Sequence, residues 1–407
     1  MSAAKSLASS TRSSGSGRRT KSQVERDERM MRLALRMASR GDGRVHPNPS
    51  VGAVVYRGDR ILGRGVTRPP GGAHAEIVAI ESARRRHGAR AVRGASIAVT
   101  LEPCNFQGRT GPCTEAILEA GLARVVGGCR DPHPKVAGKG YARLRRSGLD
   151  VVRGVLEEDC RHQHRGFLSV IERGRPWVTL KLATSLDGRI ATSSGESRWI
   201  TGAASREVVH RLRDANDAVM VGSETARADD PELSVRRNEQ VLREPIRLLL
   251  DGRLRVPNSA RLLSGAAAER TWVLCRKGAR GIRRVRARAG RVLEVPALGS
   301  HVDLDRAFRM LAEEGLTRVL VEGGGGLAAA LLRADLVDEV HWMLAPILLG
   351  GDGRPGLGPL ELARLVDAVS IDPTNVRRRN QDLHVHGMIV KKDSVSSPRE
   401  SQKRKKK

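Results

Sequence analysis

Residues 74–86 read HAEIVAIESARRR and residues 95–104 read ASIAVTLEPC, an amphipathic helical stretch followed by an apolar strand that runs into Pro103-Cys104. Upstream, VGAVVYRGDRILGRGV (51–66) holds two strand-like runs joined at Arg57-Gly58-Asp59, a hairpin signal. Before that, VERDERMMRLALRMAS (24–39) places Met30, Met31, Leu33, Ala34 and Met37 at helical spacing, and Gly41 and Gly43 end the run. Downstream, Thr114–Ala120 reads as a helix and Ala123–Gly127 as a short strand. Helices alternating with strands predict an α/β layered domain.

A junction at Ile171–Pro176 (IERGRP) separates this unit from a second α/β pattern. The second unit opens on a strand at Trp177–Leu182 and continues through DAVMVGS, PIRLLLDG, TWVLC, RVLVEGGGG and DEVHWMLAPILLGG to a final strand in LHVHGMIV. No internal repeat relates the two. The expected organisation is a basic tail over 1–27, one domain over 28–172, a second over 173–390 and a Lys-rich tail over 391–407, both tails disordered.

Length and an apolar content of 39% suit two soluble domains, and no run approaches the length of a membrane helix. The N-terminus lacks an apolar core for secretion. Its Ser- and Arg-rich composition, free of acids until Glu25, is also that of an organelle transit peptide, and a flexible tail in a cytoplasmic protein is the plainer reading. Five cysteines without framework spacing point to a reducing compartment, where paired cysteines serve metals more often than bridges. The net charge of +28 attracts polyanions and anionic small substrates alike. An aromatic content of 2% argues against a single-strand binder, which needs stacking platforms.

His74-Ala-Glu76, Pro103-Cys104 and Cys113 together make a zinc-deaminase signature. His74, Cys104 and Cys113 supply three zinc ligands and leave a fourth position for water, the arrangement of a catalytic site. Glu76, two residues from a ligand, is placed to take the proton of that water and pass it to the leaving amine. Cys129 and Cys160 fall outside the pattern as packed thiols, and His162 and His164 read as a polar helix face. A zinc deaminase acting on tRNA or single-stranded DNA remains an alternative because of the charge and the basic tail. A nucleic-acid-binding protein with lapsed enzyme domains is another. The complete ligand set counts against the latter.

Nucleic-acid deaminases carry Pro-Cys-x-x-Cys, whereas eight residues, NFQGRTGP, separate Cys104 from Cys113. This longer loop resembles the deaminases of riboflavin biosynthesis. So do His46-Pro47-Asn48-Pro49 with Val51-Gly52, Leu101-Glu102-Pro103-Cys104, Gly108-Arg109-Thr110 and Asp131-Pro132-His133-Pro134. The likeness covers about residues 28–390 and is to the bifunctional deaminase/reductase family, whose first domain is cytidine-deaminase-like, which implies α/β/α layers. It implies that Asn48, Arg109 and Asp131 bind a phosphorylated pyrimidine. Two positions depart from the family: Phe106 and Thr67 stand where many members have His.

In the second unit, Val321-Glu322-Gly323-Gly324-Gly325-Gly326 reads as a strand, a glycine run and a helix start, which offers backbone N–H groups to an anion. The pattern is not G-x-G-x-x-G, so a standard dinucleotide fold is not expected. With Lys181-Leu-Ala183-Thr-Ser-Leu-Asp-Gly188, Ser197-Arg-Trp199, Thr225 and Asp229, it is similar to the reductase domain of the same family. That resemblance implies a dihydrofolate-reductase-like α/β fold using NADPH. It puts Ala183, Trp199, Thr225, Asp229 and Gly323, Gly324, Gly325 and Gly326 on the cofactor. It puts Lys181, Ser197, Arg213, Leu233, Arg236 and Glu322 on the substrate. It further implies a homo-oligomer through the reductase domain, with nucleic acid met only non-specifically through the tails.

Overall fold

A computed structural model describes residues 20–108, 111–238 and 240–391; Arg109 and all but the inner ends of the two expected tails lie outside it. The first helix, α1 (Lys21–Ala38), begins earlier than the expected domain start at 28. Thr20 and Gln23 form a capping box, with Gln23 N–H donating to Thr20 Oγ1 at 3.2 Å and Thr20 N–H donating to Gln23 Oε1 at 3.0 Å. Asp27, in a stretch that looks solvated by composition, is fully buried and takes a two-pronged ion pair from Arg124 at 2.6 and 2.8 Å. Residues 21–27 are therefore helix and not tail.

Among the described residues the N-terminal unit is built on a five-stranded sheet: β1 (Gly52–Arg57), β2 (Arg60–Val66), β3 (Ser96–Leu101), β4 (Arg124–Cys129) and β5 (Asp150–Val152), in the order β2-β1-β3-β4-β5. The β1–β2 hairpin and the β1–β3 pair are antiparallel; β3, β4 and β5 run parallel. The helices are α2 (Ala75–Val92), α3 (Cys113–Glu119), α4 (Lys139–Arg146), α5 (Glu157–Gln163) and α6 (Arg165–Arg173). Valines and alanines of β1 and β3 with Met30, Met31, Ala79 and Ile117 form one apolar core. His164, expected on a polar face, is buried instead. It bonds Thr100 Oγ1 at 3.0 Å, and burial pushes its pKa down to about 3.

Glycines set the spacing between this sheet and its helices. A Cβ on Gly52 would lie 1.9 Å from Ala34 O of α1; one on Gly65 would lie 2.1 Å from Ala75 O and 2.6 Å from Ala79 N of α2. Backbone meets backbone there, so α2 lies directly on β2 with its first turn fixed in place.

Among the described residues the second unit begins at β6 (Trp177–Ser185), an interior strand of a nine-stranded sheet. From one edge the strands are Arg291–Val295, Thr271–Arg276, Ile246–Leu250, Ala218–Gly222, Arg318–Val321, β6, Glu339–Ala345, Asp382–Ile389 and Ile371–Arg379. The first seven are parallel; the last two form an antiparallel edge, of which sequence patterning shows only Asp382–Ile389. Apolar side chains pack on both faces, as a parallel sheet requires. At the seam, Arg173 and Arg175 converge on buried Asp338 at 2.6–2.8 Å.

Gly65→Val is expected to lower the unfolding free energy of the N-terminal unit by about 1–3 kcal/mol, the usual cost of overpacking. Denaturant titration checks this, and unchanged stability would mean that the hairpin and α2 are not held at this separation.

Candidate active sites

His74 is the residue just before the first turn of α2, in extended backbone, and Glu76 falls inside that turn. Cys113 opens α3 behind Pro112, and Cys104 follows β3 through Glu102-Pro103. Three element ends thus meet at one edge of the sheet. His74 Nδ1 lies 3.1 Å from Cys113 Sγ and 3.6 Å from Cys104 Sγ, and the three ligand atoms fall within 4.8 Å of one another. Cys113 N–H donates to Cys104 Sγ at 3.3 Å, and Thr114 Oγ1 donates to Asn105 Oδ1 at 2.8 Å, which orders the start of the loop between the cysteines. One imidazole nitrogen and two sulfurs make a donor set that fits zinc with room for water.

Glu76 is 4% exposed. Burial, with the Cys104 charge nearby, pushes its carboxyl up to about 7, in the range of a proton shuttle at neutral pH. The Cys113 thiol and His74 pull Cys104 down to about 4, while Cys113 itself is pushed well up. The pair thus shares a proton that metal binding displaces.

A cavity of about 420 Å³ opens onto His74, Glu76 and Cys104, lined also by Asn48, Thr67, Phe106, Asp131 and His133. Asp131 is buried, accepts from His133 N–H at 2.8 Å and is pushed up to about 6 by burial. Phe106 stacks against His133 with centroids 6.4 Å apart. An imidazole therefore stands beside the Phe106 ring in the lining of the same cavity. Thr67 Oγ1 accepts from Val51 N–H at 3.1 Å and fixes the strand entry next to Asn48. Glu102, quoted in the sequence only as part of a motif, accepts from the N–H groups of Gly138, Gly140 and Tyr141 at 2.9–3.3 Å. It pins the start of α4 against Pro103, where a Cβ on Gly140 would lie 2.0 Å from Pro103 O. No sequence periodicity signals that role.

In the second unit Lys181 on β6 and Glu322 at the end of Arg318–Val321 come from adjacent parallel strands. Arg213, from α7 (Ala203–Ala215), grips Glu322 through Nε and Nη2 at 2.6 and 2.8 Å and donates to Ser234 O at 2.9 Å. Burial opposes ionisation of Glu322, yet Arg213 and then Lys181 hold it below the usual range. Burial pulls Lys181 down. Gly324 caps the helix Gly325–Arg333 and donates its N–H to Thr225 Oγ1 at 2.8 Å, while a Cβ on Gly326 would meet nothing within 4 Å. A helix start with open backbone beside a threonine fits an anionic dinucleotide.

Other positions are less direct. Trp199 is 71% exposed with Arg206 stacked over its ring at 4.6 Å. Asp229 accepts from Arg198 through its backbone oxygen at 2.8 Å. Ala183 and Ser197 are half-buried. Leu233 packs into the core on one face of the sheet, so its side chain is not offered to a ligand. Arg236 is paired with Glu232 and donates to Ser234 Oγ at 3.0 Å.

Glu339, His341 and His386 form a second group with ligand-type atoms. The two imidazoles stack at 4.2 Å and 15° and both bond Glu339 Oε1, at 3.3 and 2.7 Å, while Glu339 Oε2 accepts from Trp177 and Thr179 and is ion-paired with Arg165. Hydrogen bonding accounts for the cluster. Among the described residues, no helix is long and apolar enough to cross a membrane.

Residues 24–129 match the cytidine and deoxycytidylate deaminase zinc-binding region, and residues 176–385 match the RibD C-terminal domain. Riboflavin biosynthesis protein RibD of Escherichia coli (strain K12) is 39% identical over 372 residues, covering 88% of this chain and 98% of its own length. That of Aquifex aeolicus is 37% identical, covering 88% and 97%. The solved RibD structure of Acinetobacter baumannii (form 1) is similar with a TM-score of 0.80 at 34% identity, covering 90% of this chain and 100% of that one. A diaminohydroxyphosphoribosylaminopyrimidine deaminase/5-amino-6-(5-phosphoribosylamino)uracil reductase of Thermotoga maritima has a TM-score of 0.77 at 33% identity, covering 90% and 99%.

Purified protein is expected to hold stoichiometric zinc, and Cys104→Ala to lose most of it while the second unit stays folded. Elemental analysis beside a denaturation profile reads this; full zinc retention in the variant would remove Cys104 from the ligand set.

Proposed function

The chain belongs to the RibD family of riboflavin-biosynthesis proteins, and from that premise we propose how its two sites divide the work. It is a bifunctional enzyme with a zinc-dependent deaminase domain and a reductase domain of the NADPH-dependent kind. The proposed substrate is 2,5-diamino-6-(5-phosphoribosylamino)pyrimidin-4-one. It loses its 2-amino group as ammonia in the first domain, and its ribosyl side chain is reduced to ribityl in the second. What carries the reading is the clustering of His74, Cys104 and Cys113, with His74, Cys104 and buried Glu76 lining one cavity.

His74 Nδ1 and the two thiolates would hold zinc, which when bound supplies the Lewis acidity that activates water. Glu76 accepts a proton at its carboxylate and delivers it to the departing amino nitrogen, so the leaving group is neutral ammonia. Asn48 and Asp131, which line the same cavity, orient the ring, with Arg109 assigned to the phosphate or the pyrimidinone oxygen. In the second site NADPH supplies the hydride. The Gly323–Gly326 segment, Thr225, Asp229, Ala183 and Trp199 are assigned to that cofactor. Glu322 suits the ribose hydroxyls, and Arg213 fixes its orientation. Lys181, Ser197 and Arg236 complete the substrate wall, with Leu233 contributing through its backbone. For Arg236 to receive the phosphate it must exchange its Glu232 partner.

The reading includes a cytoplasmic homo-oligomer. An antiparallel edge strand, Ile371–Arg379, with Val376 and neighbouring Leu383 exposed, supports association of copies through the reductase domain. The likeness to bifunctional relatives across both domains leaves nucleic-acid deamination and a lapsed enzyme unfavoured.

Two variants separate the activities when ammonia release and NADPH oxidation are followed independently. Glu76→Gln is expected to keep zinc and slow ammonia release by at least about a hundredfold; release at the parent rate would remove Glu76 as the shuttle. Glu322→Gln is expected to raise the reductase KM about tenfold, the loss of a charge-assisted bond, with deamination unchanged. An unchanged KM would take Glu322 off the substrate.

A further inference from the structure

The loop that leads to Asn48 is gripped from the reductase side almost residue by residue. Asp42 Oδ1 pairs with Arg318 at 3.0 Å. Gly43 O accepts from Arg243 Nη2. Arg44 donates to Asp214 Oδ1 at 2.7 Å. His46 Nδ1, buried and otherwise without a hydrogen bond, faces Asp217 Oδ1 at 3.5 Å. Pro47 packs where a Cβ on Gly315 would lie 3.4 Å away. The next two residues, Asn48 and Pro49, line the deaminase cavity.

Two of these partners are built as fixed supports. Asp217 is 3% exposed, and its Oδ2 accepts from Thr317 N–H, Thr317 Oγ1 and Arg318 N–H at 2.8–2.9 Å, leaving Oδ1 turned to His46. Arg243 donates to Arg213 O at 3.1 Å, Asp214 O at 2.7 Å and Asn216 O at 3.0 Å as well as to Gly43 O. One guanidinium therefore ties the loop before Asn48 to the end of α7, the helix that carries Arg213. Gly43 has a positive φ of 68°, and a Cβ there would lie 2.6 Å from Asp214 O, so the approach admits no side chain.

We propose that Arg243 and Asp217, both in the reductase domain, are positioning residues for the deamination: they hold loop 42–47 so that Asn48 meets the pyrimidine. The inference rests on the reading of Asn48 as a substrate residue. It makes the deaminase pocket complete only with the reductase domain behind it. Neither residue touches the zinc ligands, so losing either weakens substrate fit while the proton transfers at Glu76 stay intact.

The test uses full-length Arg243→Ala, Arg243→Lys and Gly43→Ala, with zinc content and hydrogen exchange measured beside deamination kinetics. For Arg243→Ala and Gly43→Ala the expected result is a deamination KM raised about tenfold with kcat within about twofold, the signature of lost positioning. Zinc should stay at the parent level, and amides of residues 42–50 should exchange faster while those of β3 do not. Arg243→Lys should recover only part of the KM, because an ammonium cannot reproduce the fork to several carbonyls. Unchanged KM with unchanged exchange in the loop would overturn the proposal. So would a fall in kcat accompanied by loss of zinc, which would make Arg243 a general folding support. If the parent protein released no ammonia from the diaminopyrimidinone phosphate, the deaminase reading would fail by itself, and the exchange data would still decide whether Arg243 holds the loop.

Discussion

The N-terminal site depends on a backbone contact that no side chain could occupy. Gly65 of β2 lies against the carbonyl of Ala75 in the first turn of α2, and His74 and Glu76, the proposed ligand and shuttle, flank that residue. Sheet and helix are separated by main-chain radii only, so the position of His74 relative to β3 is set by covalent geometry and not by adaptable side chains. Cys104 arrives from the end of β3, the third strand of the same sheet, and the loop it starts is pinned from behind by Glu102. A tetrahedral metal site tolerates little error in ligand placement, and glycine contacts of this kind supply that tolerance cheaply.

The large positive charge has a similar internal logic. Many arginines are structural ties: Arg124 on Asp27, Arg173 and Arg175 on Asp338, Arg213 on Glu322, and Arg318 on Asp42. Arg247, almost wholly buried, donates to Glu232 O at 2.8 Å and to Glu244 at 2.8 Å. A guanidinium bridges carbonyls and carboxylates that would otherwise be buried without partners. Breaking such a pair leaves an uncompensated charge, which costs far more than the intact pair contributes. Composition sees only the sum of charges, so an arginine spent on the interior and one offered to a polyanion look the same.

This explains what could be read from the residues and what could not. The clustering of His74, Cys104 and Cys113 was legible because its spacing, His74-x-Glu76, Pro103-Cys104 and Cys113, survives as local sequence, and each piece sits at the end of a strongly patterned element. Most strands were legible for the same reason. The helical pattern from Val24 was legible too, but the burial that makes its first turns part of the domain was not, because the anchor is a carboxylate, Asp27, whose partner lies 97 residues away. His164 looked like surface because its burial comes from a neighbour in β3, Thr100. Leu233 and Arg213 came from family resemblance, and the structure shows why that resemblance needs geometry beside it. Leu233 faces the core, and three of the five N–H donors of Arg213 are placed on Glu322 and Ser234.

The seam between the domains follows from the same reasoning carried to long range. Loop 42–47 contains one glycine, Gly43, follows directly on Gly41, and has no periodic pattern of its own, so its few local backbone bonds need support from outside. Its fixed points come from residues 214–217, 243 and 315–318, close to the starts of two central parallel strands and the end of α7. Those places are rigid because the strands behind them are buried on both faces. A flexible loop bearing a substrate residue is best anchored to the stiffest part of the molecule, and here the stiffest part belongs to the other domain. Fusion in one chain keeps that support permanently beside the pocket, which gives a physical reason for two successive reactions to share a polypeptide without any transfer of substrate between their sites.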